Sequence, residues 1–156
     1  MKKINLGSLP YEYYPRPEGH RTGMASFGPS IGASMLGATV YELPPGERVG
    51  PYHYEYGNEE WGIVLQGRPT LRHPEGEEQL EPFDVVCFPV GPDGAHTFRN
   101  STDTTVRVLL LSTMNDPALA VYPDSDKIGI FPGDEFPRDH VVVRRESHVD
   151  YYDRET

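Results

Sequence analysis

His53-Tyr54-Glu55-Tyr56-Gly57-Asn58-Glu59-Glu60-Trp61-Gly62-Ile63-Val64-Leu65-Gln66 decides how this chain is read. Gly57-Asn58 is a turn signal, and the residues on either side are strand formers, so the stretch predicts a hairpin. Side chains two apart on a strand share a face. His53 and Glu55 therefore point the same way. Across the turn, Glu60, Gly62, Val64 and Gln66 share one face, and Trp61, Ile63 and Leu65 share the other. The charged end of the first set belongs inside and the apolar set covers the outside or an inter-subunit surface. Glu59 has the wrong parity to accompany Glu60.

Working outward, Leu36–Leu43 reads as a strand closed by Pro44-Pro45-Gly46. Downstream, Pro69–His73 and Glu77–Glu81 flank a turn at Pro74–Gly76. Val85–Phe88 and His96–Arg99 follow, and Thr105–Thr113 is the longest apolar strand and the expected centre of the sheet. Closely spaced short strands with turn residues between them predict an all-β sandwich or barrel of roughly eight strands. Residues 1–35, punctuated by Pro and Gly, read as an irregular arm wrapped on the barrel. Residues 36–113 read as the barrel itself. Residues 114–156 read as an extension packed on the barrel or on a partner, with a turn at Tyr122–Asp126 and one late strand at Val141–Val143.

Bulk properties narrow the function. At 156 residues one domain is expected. A formal charge of -10 disfavours nucleic acid and anionic membrane surfaces as partners, leaving a small molecule or a protein. The opening Met1-Lys2-Lys3 lacks the apolar run of a signal peptide. A lone cysteine, Cys87, excludes an internal disulfide and fits a cytoplasmic location; its apolar neighbours place it in the core.

His96 shares its strand face with Phe98, so a second imidazole joins His53, Glu55 and Glu60 at one interior. Imidazole and carboxylate are the donors that hold divalent ions. His53, Glu55, Glu60 and His96 are the candidate metal ligands. Two carboxylates would balance a divalent charge, favouring Mn or Fe without separating them from Zn or Ni. Without an ion, Glu55 and Glu60 would repel each other, raising the pKa of one and making it a general acid or base. His20, His73, His140 and His148 lack ligand spacing, and Asn100 reads as a turn residue.

The pattern Gly46, His53, Glu55, Glu60 and Gly67, followed by Asp84, Pro89, Gly91, His96 and Asn100, resembles the two motifs of the cupin superfamily. The resemblance covers about Pro44 to Thr113. It implies a cupin jelly-roll β-barrel, or double-stranded β-helix, with a divalent metal in its mouth and commonly a homodimer. The chain departs from the pattern in three places. Glu55 stands where a second histidine is usual, Phe83 stands where glycine is usual, and the segment from Gly91 to His96 is longer than usual. Three functional readings are open at this point. One is a metal-dependent enzyme of dioxygenase, isomerase or decarboxylase type acting on a small polar substrate. The second is a non-catalytic ligand-sensing barrel. The third is a metal-free acid/base enzyme of the epimerase kind.

Overall fold

Thirteen short strands and five single-turn 3-10 helices make up the computed structural model, which describes residues 1–133 and 135–155. The strands are β1 (Glu12–Tyr13), β2 (Gly23–Ser26), β3 (Leu36–Leu43), β4 (Tyr54–Tyr56), β5 (Glu60–Gln66), β6 (Thr70–His73) and β7 (Gly76–Gln79). They continue with β8 (Val85–Phe88), β9 (Thr97–Arg99), β10 (Val106–Thr113), β11 (Ala118–Tyr122), β12 (Lys127–Phe131) and β13 (Val141–Arg144). Among the described residues no helix is long and apolar enough to cross a membrane.

All pairings are antiparallel. One wall is a six-stranded sheet in the order β1-β2-β3-β10-β5-β8. The other is built from a β13-β12-β11-β4 sheet and a β7-β6-β9 sheet, stitched together by the bridges Arg48↔Arg99 and His53↔His96. The main core lies between the walls. Leu43, Val64, Phe88, Val106, Val108 and Leu110 from the first wall meet Leu71, Leu80 and Phe98 from the second. Strand parity accounts for the longest run of it: Val106, Val108 and Leu110 are two apart on β10 and so share its inner face.

Register lays out the inner face of the first wall in rows. Gly37, Ser112, Glu60 and Phe88 are paired in sequence across β3, β10, β5 and β8. The next row is Ser26, Thr39, Leu110, Gly62 and Val86. Gly62 is there because a Cβ would fall 2.6 Å from the Phe98 ring. Without the small residue, the two walls could not close beside Glu60.

The Pro- and Gly-rich arm is more ordered than its composition suggests. It contributes β1 and β2 to the edge of the first wall. It also lays Leu6, Leu9, Tyr11, Phe27 and Ile31 over Val40, Ile63, Leu65 and Leu109. The outward apolar set of β5 is thus covered largely by its own chain, leaving Trp61 exposed. The extension has the expected turn, at Pro123–Ser125, and the expected late strand, Val141–Arg144; not expected are Ala118–Tyr122 and Lys127–Phe131, which pair as a hairpin around the turn and carry the late strand on their edge. Cys87 is not core. It is exposed, because it lies on the outer side of the edge strand β8, opposite Trp61.

Asn100 is the turn residue expected, and it is fully buried. Its amide donates to the carbonyls of Leu43 and Thr104 while its oxygen accepts from the Thr102 backbone and hydroxyl. Phe83 has φ 75 and is 80% exposed. A left-handed backbone costs a non-glycine residue roughly 1–2 kcal/mol, and glycine returns part of that as unfolded-chain entropy. Phe83→Gly should therefore stabilise the protein by about 0.5–1 kcal/mol in urea denaturation. No gain would show that the Phe83 ring has packing worth as much as the strain.

Candidate metal centre

The site begins with a backbone pairing. His53 N–H donates to the His96 carbonyl at 3.2 Å, and His96 N–H donates to the His53 carbonyl at 2.8 Å. The two residues are directly opposed, so their side chains leave the second wall on the same face. Their ring centroids are 5.0 Å apart. Glu60, at the first position of β5, faces them from the first wall. Its Oε2 lies 3.9 Å from His53 Nε2 and 3.6 Å from His96 Nε2. One ligand atom from each of the three residues falls within 4.8 Å of the others.

Hydrogen bonds fix the ring chemistry. His53 Nδ1 is 3.0 Å from the Pro51 carbonyl, and His96 Nδ1 is 2.9 Å from the Gly94 carbonyl. A carbonyl only accepts, so each Nδ1 carries the proton and each Nε2 presents a lone pair. Gly94 makes its share of this geometry attainable: a Cβ there would sit 1.8 Å from the Pro89 carbonyl oxygen. Each imidazole is also covered by an aromatic ring. Phe88 stacks on His96 at 3.6 Å and 6°. Tyr122 stacks on His53 at 5.9 Å and 22°.

Burial sets the protonation states. It drives His96 down to about 3, with His53 adding to the effect. His53 is also lowered, chiefly by burial. Burial, followed by the charge of Glu55, raises Glu60 to about 7. At neutral pH both imidazoles are therefore neutral. His96 Nε2 is a buried nitrogen with no hydrogen-bond partner among the described residues. Two imidazole lone pairs and a Glu60 carboxyl oxygen converge with no hydrogen bond among them. Metal–ligand bonds of about 2.0–2.2 Å allow ligand atoms up to about 4 Å apart, which suits a shared cation better than a shared proton.

Of the four residues singled out in the sequence, the structure brings together His53, Glu60 and His96. Glu55 lies on the same side, as its parity requires, and its charge reaches Glu60, His53 and Tyr122. It is not part of the three-residue group. Sequence reasoning did not find Phe88 or Tyr122. Phe88 is paired with Glu60 across β5 and β8. The Tyr122 strand is paired to β4, and apolar runs on both sides of the Tyr122–Asp126 turn are the hairpin signal that would have shown it.

Comparisons with known proteins agree with this architecture. A family model described as Cupin domain matches residues 39–112. Among solved structures, the chain is similar to a sugar phosphate isomerase of a cupin superfamily from Silicibacter pomeroyi. The identity is 23% over 97% of this chain and 98% of that one, with a TM-score of 0.81. It is also similar to a candidate sugar phosphate isomerase from Acidithiobacillus ferrooxidans, at 23% identity over 85% and 81% of the two chains, TM-score 0.75. A third is the polyketide cyclase RemF from Streptomyces resistomycificus, at 23% identity over 76% and 83%, TM-score 0.62. Among curated proteins none matches the chain. These likenesses show the shared fold.

Two outcomes follow from the geometry. The Glu60 carboxyl has a folded pKa above its unfolded value, so its cost to stability is absent in acid and grows as pH rises through 4.5 to 7. Glu60→Gln should leave the chelated protein unchanged near pH 4 and stabilise it by about 2 kcal/mol at pH 8. His96 acts in the opposite sense: its stabilising contribution is present above about pH 6.5 and is lost as pH falls toward 3. Equal denaturation midpoints for wild type and Glu60→Gln at pH 8 would show that Glu60 is better solvated than its burial indicates. Separately, Tyr122→Phe should preserve the order of the His53 ring and Tyr122→Ala should loosen it. The check is the His53 ring NMR signal, which should broaden in the alanine variant alone.

Proposed function

Residues 39–112 belong to the Cupin domain family, and from that premise we propose that this chain is a divalent-metal enzyme acting on a small polar substrate, of isomerase type. The observation that carries the reading is the convergence of His53 Nε2, His96 Nε2 and Glu60 Oε2 with no hydrogen bond among them, one of them a buried orphan. His53, Glu60 and His96 would hold the ion, with Mn or Fe favoured by the carboxylate. When bound, the ion would supply Lewis-acid polarisation of a substrate oxygen.

The chain's own groups account for the rest. Stacking by Phe88 and Tyr122, with the Nδ1 hydrogen bonds, holds both imidazoles in one tautomer and orientation. Glu55 stands beside the three-residue group, where its carboxylate can take a proton from a carbon next to a carbonyl and return it to the neighbouring carbon. The balance is one proton moved between the two carbons and one hydroxyl proton moved to the former carbonyl oxygen, with no oxidant required. The activity named for the proteins from Silicibacter pomeroyi and Acidithiobacillus ferrooxidans supports the isomerase choice. The sequence expectation that Glu55 is a fourth ligand is the competing role for that residue.

A second reading is favoured by one observation. Glu60 titrates near neutrality beside a neutral histidine, which is what metal-free acid/base catalysis needs. As to assembly, exposed Leu36 and Trp61 border a cleft with Leu111 and offer a surface for a second copy of the chain.

Elemental analysis after growth in metal-supplemented medium separates these readings. The expected result is about one divalent ion per chain, reduced at least tenfold in His96→Ala. Metal-free protein that still incorporates solvent deuterium next to the carbonyl of a ketose or aldose would establish the second reading. Glu55→Gln should keep the ion and lose deuterium incorporation; loss of the ion would make Glu55 a ligand. Because Glu60 must give up its proton to bind, ion affinity should rise between pH 6 and pH 8, with proton release on loading larger at pH 6.

A further inference from the structure

Arg16 lies in the arm, outside the matched domain, between Pro15 and Pro17. Proline on both sides restricts the local backbone to extended conformations, so the guanidinium is presented with little freedom left to lose. Its Nη2 donates to Met24 Sδ at 3.0 Å. A thioether is a weak, single acceptor, whereas a guanidinium carries five N–H donors in a planar fork. Among the described residues no carboxylate pairs with Arg16, although the chain has a formal charge of -10. Arg107, on the outer face of β10, is by contrast committed to Glu42.

Register shows where this cation is held. Met24 is paired with Tyr41, and Ser26 with Thr39, so all four share the inner face of the first wall with Glu60. Ser26 and Thr39 hydroxyls are 2.8 Å apart at the open edge of that face. The Tyr41 phenol is close enough to feel both the Arg16 guanidinium and the Glu60 carboxylate. Among the described residues its hydroxyl makes no hydrogen bond, and it is not among the sealed polar atoms. A donor-rich strip thus runs from the arm to the three-residue group: a guanidinium, a phenol and a pair of hydroxyls.

We propose that Arg16 and Tyr41 form an oxyanion subsite that takes the carboxylate or phosphate of a small hydroxylated substrate, with Ser26 and Thr39 binding its hydroxyl groups. The inference rests on the reading of His53, Glu60 and His96 as the reaction centre, and it names the substrate class: a hydroxylated acid or a phosphate ester. A planar guanidinium matches either anion bidentately. On an otherwise acidic molecule it also supplies the local attraction that brings an anion to this face rather than another.

Calorimetric titration of the full chain, manganese-loaded and EDTA-treated, tests the subsite with glycerol 3-phosphate, glycerate and glycerol. The expected result is binding of at least one anion and none of glycerol. Arg16→Gln should weaken the anion at least tenfold, Arg16→Lys should recover part of the loss, and Tyr41→Phe should weaken it several-fold. Manganese content should be unchanged in all three variants. The tighter anion identifies the terminal group as phosphate or carboxylate. Equal affinity in wild type and Arg16→Gln would overturn the proposal, as would no binding of either anion to wild type. An equal loss in the exposed control Arg138→Gln would do the same, since binding would then be diffuse attraction. Arg16-dependent binding in a protein that retains no manganese would uphold the subsite while removing the metal reading.

Discussion

Everything at the centre of this molecule depends on the mutual backbone hydrogen bonds between His53 and His96. That bridge is isolated: it belongs to no named strand pair, yet it joins the two parts of the second wall. It also makes the two imidazoles opposite neighbours, so their convergence is a consequence of strand pairing and not of loop geometry. A shift of one residue in either segment would send one ring to the outer surface. Glu60 is placed by equally rigid means, as the first residue of a strand paired on both sides, by β10 and β8.

The bridge needs support, because β4 is three residues long and no such strand is stable alone. Support comes from β11, which pairs with β4 and carries Tyr122 onto the His53 ring. The hairpin β11–β12 lies outside residues 39–112. The domain recognised by the family pattern therefore holds the candidate ligands, while chain on its C-terminal side holds one of them still. The arm does the corresponding service for the first wall, where it covers Ile63 and Leu65 and leaves their strand free to present Glu60 inward.

How much could be read beforehand followed from whether alternation or position carried the information. Leu36–Leu43, Glu60–Gln66 and Val85–Phe88 are strands with the ends read from turn residues, and the inner parity of Glu60, Gly62 and Val64 holds. Parity does not report distance, so Glu55 was legible as facing the site and not as standing outside the group that meets there. Apolar neighbours do not report sheet position either. Cys87 looked like core until β8 proved to be an edge with its outer side uncovered. Ala118–Tyr122 and Lys127–Phe131 were hidden by the Pro and Asp residues of the turn between them, whose composition drew attention away from the apolar runs it joins. The donor strip on the first wall was illegible for another reason: Met24 and Ser26 face inward only because of their pairing with β3, a long-range fact.

The electrostatics of the site run against stability, and that tension is itself informative. A carboxyl raised to about 7 by burial, beside an imidazole lowered to about 3 by the same burial, is what remains when a polar cluster has been closed off without hydrogen bonds among its members. Packing alone would have been better served by apolar side chains at this point, where Phe88 already meets His96 and Phe98, and Gly62 in the next row meets Phe98. A fold that keeps two lone pairs and a carboxylate largely out of water tolerates the cost locally, and a positive charge entering there would recover it. The fixed Nδ1 protons remove the alternative of rotating a ring to pair with its neighbour. The arrangement is thus committed to an external cation or proton, and the choice between those two is where the chemistry of this chain is decided.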